Sequence, residues 1–366
     1  MIATLLVQSG DYQVRVGDVD QAALDWLKQQ TPEVETVCVN AANESELLSA
    51  MQGVQCVLSA LSFRFNPLVA RAALKSGISY FDLTEDIETT RQIRGLSSEA
   101  RPGQIFMPQC GLAPGFVSLA AMHLTRSFDR LDCVRMRVGA LPQFPSNALR
   151  YNLTWSTDGL INEYCNPCEA IHDGVRSDVL PLEGLEQFSL DGVRYEAFNT
   201  SGGLGTLCET LDGQARELNY KTIRYTGHRQ LMSFLLHDLR LRDRRDLLKD
   251  ILENAIPVTY QDVVVVFCTV SGWSQGQLVQ VSDARKIYQK TINGEVWSAI
   301  QITTAAGICT MVDLHLTGRL PGPGFVRQEE VGLEEFLANR FGCHYAAAAT
   351  TRFTRQLSEA EGEYEL

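Results

Sequence analysis

Positive charge is scarce in this chain. Across 366 residues, 32 Lys and Arg stand against 44 Asp and Glu, and the formal net charge is −12. An acidic surface argues against nucleic acid or an anionic membrane as a main partner. Long apolar runs are missing too. None approaches the ~20 residues that span a bilayer, and the N-terminus has no basic stretch followed by an apolar one, so no signal peptide and no membrane partner are expected. The ten cysteines are scattered, most of them inside apolar runs such as Cys56-Val-Leu and Val266-Phe-Cys268-Thr-Val. That usage fits small buried hydrophobes in a reducing cytoplasm better than a disulfide framework. Cys165-Asn-Pro-Cys168 is a lone C-x-x-C with no second Cys or His pair at matching spacing, so no metal is expected.

A glycine-rich phosphate-binding turn is also lacking. Val14-Arg-Val-Gly-Asp18 ends a short strand in a carboxylate, the place where a dinucleotide-binding βαβ unit holds the ribose 2′-OH. A carboxylate there repels a 2′-phosphate and favours NAD over NADP. The fingerprint needs a first strand and a G-x-G-x-x-G turn upstream, with its acidic residue ~20 positions further on, but seventeen residues precede Asp18 and they contain neither. Either the chain as given starts late, or it has lost dinucleotide binding. Both readings predict a parallel sheet without its central strand and a groove without helix N-terminal amides for pyrophosphate. Taken alone, Asp18 also reads as a solvated turn residue.

What is present reads as two domains, the number that this length accommodates. Strand and helix signals alternate at first: strands at 12–18, 35–39, 54–60, 78–82 and 104–108, helices at 21–29, 44–51 and 67–76. Continuous apolar strands between helices indicate a parallel sheet covered on both faces. After Gly111 longer strands with period-2 alternation follow, at 133–138, 193–198, 221–225, 263–270 and 278–288, with helices at about 228–241 and 243–254. They predict a second α+β domain with a mixed or antiparallel sheet. Residues 299–316 form a helix rich in small side chains. Residues 346–366 are polar and Ala-rich and read as a flexible tail.

Three stretches carry chemistry: Asn152-Leu-Thr-Trp155-Ser-Thr-Asp158-Gly159, Thr200-Ser-Gly-Gly-Leu-Gly205 and Lys221-Thr-Ile-Arg224-Tyr225-Thr-Gly-His228. Each sets glycines, which allow close backbone approach, beside side chains that bind or react. Arg offers a fork for a carboxylate, Trp a flat wall with one N–H, and His a proton acceptor near neutral pH. The set predicts a pocket for a small zwitterion.

Together with Gly111-Leu-Ala-Pro114-Gly115-Phe and Val138-Gly139-Ala-Leu-Pro142, these motifs stand in one order in which the chain resembles the saccharopine dehydrogenase family, most closely its lysine 6-dehydrogenase branch. The resemblance spans about residues 1–345. It implies an α/β protein with a Rossmann-like dinucleotide-binding domain (1–112 and 299–345) and a catalytic, substrate and oligomerisation domain (113–298). It also implies NAD as cofactor, an amino-acid substrate oxidised at the carbon bearing its side-chain amine, and a homodimer or higher homo-oligomer. Two alternatives remain: a saccharopine-type reductase that joins an amino acid to a keto acid, and a cofactor-free binding or scaffold protein. Saccharopine reductases carry an Asp in their version of Gly111–Gly115, where this chain has Ala113. Relatives often have an acidic residue where this chain has Gln109.

The amine must be neutral when hydride leaves its carbon, so a base is needed. His228 is the first candidate, against a structural histidine. Lys221 ranks below it, since odd spacing puts Lys221 and Arg224 on opposite strand faces. Arg224 is the candidate for the substrate carboxylate, and Trp155 for a wall along the aliphatic chain. Asp158 and Glu163 are candidates for the ammonium, although Asp158 in a first helical turn serves the helix dipole equally well. Tyr225, Gly139 and Gly203 complete the expected substrate contacts. Leu61, Asp82 and Thr84 lie after parallel strands, at the edge where open sheets bind ligands. With Asp18, Gly111 and Pro114 they form the expected cofactor groove.

Overall fold

A computed structural model describes residues 1–292, 294–346 and the backbone of 351–356. In chain order the elements begin with α1 (Ile2–Gln8), β1 (Arg15–Asp18), α2 (Gln21–Gln30), β2 (Glu35–Cys38), α3 (Glu44–Ala50) and β3 (Cys56–Ser59). There follow α4 (Asn66–Ser76), β4 (Ser79–Asp82), α5 (Ile87–Ser97), β5 (Ile105–Met107), α6 (Phe116–Thr125) and β6 (Arg130–Pro142). The middle of the chain holds α7 (Thr157–Cys165), β7 (Cys168–His172), β8 (Val175–Val179), β9 (Glu186–Leu190), β10 (Val193–Asn199), α8 (Leu207–Thr210) and β11 (Glu217–Tyr225). Then come α9 (His228–Ser233), α10 (Arg245–Ala255), β12 (Asp262–Ser274), β13 (Gln277–Tyr288), β14 (Lys290–Ile292) and β15 (Glu295–Trp297). The last are α11 (Ala299–Leu316), β16 (Gly324–Phe325), α12 (Leu333–Ala338) and β17 (Thr351–Gln356). Two compact units result: Met1–Phe116 with Thr303–Tyr345, and Val117–Ile302 with β17.

In the first unit, short polar side chains start the helices. Asp20 accepts from the N–H groups of Ala22 and Ala23, Asn43 from Ser45 and Glu46, and Asp86 from Thr89. Each such cap is worth roughly 1 kcal/mol. Strand β4 is buried at every position, as a strand covered on both faces must be. Val69, Ala70 and Ala73 of α4 and Ile93 of α5 pack with Tyr80 and Phe106. The parallel sheet comes in two pieces, β1–β2 and β3–β4–β5–β16, and no ladder joins them among the described residues.

Helix α11 is long and apolar enough to cross a membrane by length and composition, contrary to the expectation of no such run, but 72% of it is buried. Its small residues Ala305 and Cys309 receive Leu5 and Leu6 of α1 and Phe341. Lower down the helix, Asp313 accepts hydrogen bonds from Tyr12, Asn339 and Arg340.

The second unit is built on a nine-stranded sheet in the order β17-β13-β12-β6-β11-β10-β9, with β7 on β11 and β8 on β7. The β6–β11 pairing is parallel; those around it are antiparallel. The pleat sorts the side chains. On one face Ile223 of β11 joins Leu141, Tyr195, Ala197, Val263 and Val265, with Tyr225 packed against them. On the other, Phe198 of β10 meets a helical layer: Leu160, Ile161 and Tyr164 of α7, Met232 of α9, and Leu248 and Leu252 of α10. Part of the segment read as a tail is a strand, because β17 pairs with β13 from Val279↔Gln356 to Ala284↔Thr351. The rest of that segment beyond Ala346 lies outside the described residues.

Candidate active site

The helical face of the second unit's sheet holds a buried guanidinium. Arg224 projects from β11, is 3% exposed, and donates from Nε to the Tyr164 hydroxyl at 2.9 Å and from Nη1 to the Ile223 carbonyl at 2.9 Å. Its carbon lies 5.0 Å from the Tyr151 ring centre and 5.8 Å from that of Tyr164. Among the described residues no carboxylate oxygen lies within 4.0 Å of it, and its Nη2 has no protein partner. Aromatic faces attract a cation, and the charge of buried Glu163 acts on it from beyond contact distance, so the guanidinium lacks a contacting carboxylate among the described residues. An anionic ligand is the missing partner that this arrangement fits.

The hydroxyl of Tyr164 is also 3.0 Å from Nε2 of His228, whose Nδ1 is 2.9 Å from the Leu149 carbonyl. The proton order follows from the ends of this chain. Arginine only donates and a carbonyl only accepts. His228 therefore carries its proton on Nδ1, and Tyr164 donates to Nε2. Burial, then the charge of Arg224, pushes the His228 pKa down to about 3. The expectation of His228 as a free base is corrected: it is a neutral imidazole with both nitrogens engaged, holding Tyr164 and through it Arg224.

Glu163 lies beside Tyr164 on α7, is buried, and its charge acts on Tyr151, Tyr164, Tyr220 and Arg224. Trp155 is half-buried at the edge of the same cluster. Its ring lies over Gly159, where an added Cβ would stand 2.3 Å from Cζ3. The structure thus brings Arg224, His228, Glu163 and Trp155 together.

Other expected residues are not there. Asp158 sits on the first turn of α7 and pairs with Lys249 of α10 at 2.6 Å, with its side chain 40% exposed. Lys221 and Tyr225 share the opposite face of β11. Lys221 binds Glu186 at 2.5 Å and the Gly184 carbonyl at 2.6 Å, and Arg137 grips the same carboxylate at 2.7 and 2.8 Å. Burial alone would raise the Glu186 pKa, but Arg137 and Lys221 outweigh it and hold it at about 2. Burial, then Arg137, lowers that of Lys221. The Tyr225 hydroxyl donates to the Pro142 carbonyl at 2.8 Å, and its ring stacks on Tyr195. The two glycines are packing sites: a Cβ on Gly139 would stand 2.6 Å from the Ile223 carbonyl, and one on Gly203 2.3 Å from the Tyr220 ring.

In the first unit, Asp18, Leu61, Asp82 with Thr84, and Gly111 with Pro114 all follow the carboxyl ends of parallel strands. Asp18 is half-buried and accepts from the Asp20 N–H at 2.9 Å; Leu61 is 40% exposed. No glycine-rich strand-to-helix turn that would hold pyrophosphate occurs among the described residues of this edge. Asp82 is corrected to an internal brace. It is fully buried and accepts from Thr84 and Gln109 N–H at 2.9 Å and from the Tyr80 hydroxyl at 2.7 Å. Burial raises its pKa to about 6. The brace holds Gln109 in the left-handed region, φ 66°. Thr84, 3% exposed, accepts from the Asp86 N–H. Gly111 pairs with Gly115, whose φ of 128° and 2.2 Å Cβ clearance to the Gly111 oxygen demand glycine.

Sequence reasoning missed Tyr151 and Tyr164. The helical spacing Thr157, Leu160, Ile161, Tyr164 marks one buried face and contained a signal for Tyr164. Two surface depressions, of about 500 and 590 Å³, are lined by residues between Leu236 and Leu247 and do not include Arg224.

A parallel-sheet unit and a mixed-sheet unit bearing a buried guanidinium define a two-domain α/β protein. Residues 1–106 match the saccharopine dehydrogenase NADP binding domain, and residues 111–341 the saccharopine dehydrogenase C-terminal domain. The chain belongs to the saccharopine dehydrogenase family. It is 21% identical over 347 residues to the mitochondrial alpha-aminoadipic semialdehyde synthase of Bos taurus, a match covering 87% of this chain and 36% of that protein. The chain therefore spans about a third of that relative's length. It shares its fold with the apo saccharopine dehydrogenase (L-Glu forming) from Saccharomyces cerevisiae, at a TM-score of 0.75 and 16% identity, over 98% of this chain and 96% of that one.

Proposed function

We propose that this chain is an NAD-dependent oxidoreductase acting on the CH–NH₂ group of an amino acid, and that its reaction is oxidative deamination of the side-chain amine of L-lysine or a close relative. The observation that carries this reading is Arg224, a buried guanidinium with one nitrogen unpartnered and no contacting carboxylate among the described residues. An α-carboxylate supplies the missing charge and fixes one end of the substrate. Trp155 flanks the aliphatic chain, and Glu163 favours a cationic amino group. Neutral His228 keeps Tyr164 donating away from Arg224, so the phenol oxygen stays available to the Nε–H that orients the guanidinium.

A bound nicotinamide supplies the hydride acceptor. The substrate carbon loses hydride, the resulting imine adds water, ammonia leaves, and a semialdehyde that can cyclise remains. Asp18 at the end of β1 favours the unphosphorylated ribose of NAD.

Incubating the chain with L-lysine and NAD, and in reverse with the semialdehyde, ammonia and NADH, tests this by nucleotide absorbance. Turnover with lysine-like amines, lost in R224Q, is the expected result. No turnover in either direction with any such amine overturns the reading. A saccharopine-type condensation would instead show as NAD(P)H oxidation that requires both an amino acid and 2-oxoglutarate.

A further inference from the structure

A second set of unsatisfied groups stands beside Arg224. Tyr151 is 2% exposed and its hydroxyl makes no hydrogen bond of normal geometry among the described residues. The Thr154 hydroxyl oxygen is likewise buried and unpartnered. Both belong to one stretch that ends at Trp155, and burial raises the pKa of the Tyr151 hydroxyl although the Arg224 charge and the neighbouring Thr154 and Trp155 side chains oppose that rise. Buried polar side chains are almost always hydrogen-bonded, and an orphaned hydroxyl costs free energy. Here the guanidinium stands over the Tyr151 ring, and Thr154 neighbours the hydroxyl of that ring. Tyrosine, threonine and tryptophan can all donate, and the cation fixes the sign of what they donate to.

We propose that the Tyr151 and Thr154 hydroxyls, with the free nitrogen of Arg224, form one anion subsite that takes the carboxylate of an amino acid and selects against amines lacking it. This deepens the reading above and rests on it. Arg224 supplies the charge. Tyr151 and Thr154 supply direction, and they set the discrimination between an amino acid and the corresponding diamine. A hydroxyl donating to a carboxylate is worth about tenfold in affinity.

Calorimetric titration of the full chain with L-lysine, L-ornithine and L-glutamate, and with pentane-1,5-diamine as the carboxylate-free control, tests this on the wild type, Y151F and T154V. The wild type is expected to bind at least one amino acid well above the diamine. Y151F is expected to weaken that binding about tenfold, T154V several-fold, and both to leave the diamine unchanged. Near-ultraviolet circular dichroism confirms that each variant is folded; should Y151F fail that check, T154V carries the test. If folded variants bind the amino acid as the wild type does, the subsite is overturned while the reading of Arg224 stands. If the wild type binds none of the amino acids better than the diamine, both fall.

Discussion

Glu196 stands directly opposite Arg224 in the β10–β11 ladder, yet its carboxylate does not reach the guanidinium. It accepts from the N–H groups of Gly227 at 2.9 Å and Arg229 at 2.6 Å, at the start of α9. Opposite charges facing each other across an antiparallel pair ordinarily join. Here the backbone donors of a helix start take the carboxylate, and the cation is left for something else. The local fold and the candidate site thus share one cause: Gly227, at φ 102°, turns the chain so that its own N–H and that of Arg229 meet Glu196.

A buried cation without a contacting carboxylate costs desolvation, but Arg224 also holds two hydrogen bonds and feels the charge of buried Glu163. R224M relieves the first and removes the others, so it is expected to stay within about 1 kcal/mol of the wild type in urea unfolding. It is also expected to lose amino-acid binding by calorimetry. A folded R224M that is far less stable than the wild type, or that binds the amino acid as the wild type does, would make the guanidinium a structural group.

His228 makes the second unit sensitive to acid. Its folded pKa of about 3 lies below the ~6.5 of an unfolded imidazole. Between these values the unfolded chain binds the extra proton. The contribution of neutral His228 is therefore complete above about pH 6.5 and is lost as pH falls toward 3. H228Q removes this titration. Its stability is expected to fall less than that of the wild type between pH 7 and 4, by on the order of 2 kcal/mol, read from urea midpoints at the two pH values.

Asp82 works in the opposite direction in the first unit. Its pKa is raised to about 6, so its contribution is fully present below about pH 3.8 and is lost as pH rises through 6. Asparagine can accept from Thr84 and Gln109 through one oxygen and meet the Tyr80 hydroxyl with its amide. D82N is therefore expected to equal or exceed the wild type at pH 8, by about 1 kcal/mol, and the difference is expected to vanish near pH 4. Thermal melts across that range check the sign.

How much of this was legible in the sequence depends on the kind of signal. Parallel strands were readable because each is a short apolar run between helices, and Asp18, Ser59 and Asp82 close three of them. The strand parity of Lys221 and Arg224 was readable for the same reason, and it holds. Helix α5 was not legible, since Ile87-Glu-Thr-Thr-Arg-Gln-Ile-Arg carries few apolar residues and draws its position from the burial of Ile93. Roles at the site were misread where one side chain serves the fold. Asp158 looks like a ligand from its motif, but Lys249, 91 residues away, claims it. The chain from Arg224 to Leu149 crosses three segments, and no local pattern announces it.

Because Lys221 and Arg224 point to opposite faces of β11, their variants are expected to separate. K221M leaves Glu186 held by both arms of Arg137, so the loss is about 1 kcal/mol, the ordinary size for a partly buried charge-assisted bond. Amino-acid affinity in K221M is expected to stay within about twofold of the wild type, as calorimetry can read. A loss comparable to that of R224Q would place Lys221 in the binding machinery despite its direction.

Gly159 ties the fold to the substrate wall. It sits in the first turns of α7, where alanine would ordinarily favour the helix by about 1 kcal/mol. The Trp155 ring lies so close that a Cβ would stand 2.3 Å from one ring carbon and 2.8 Å from another, and an indole packed against the core cannot give way at a single atom. G159A is therefore expected to destabilise the unit by about 1–3 kcal/mol, the range for overpacking, and to push the indole outward. Tryptophan emission should shift to the red, with W155F as the control that assigns the signal among the four tryptophans. If Trp155 also walls the substrate chain, the displaced ring weakens binding of L-lysine more than that of a shorter amino acid such as alanine, whose side chain does not reach it. Equal losses for the two would leave Trp155 as packing alone.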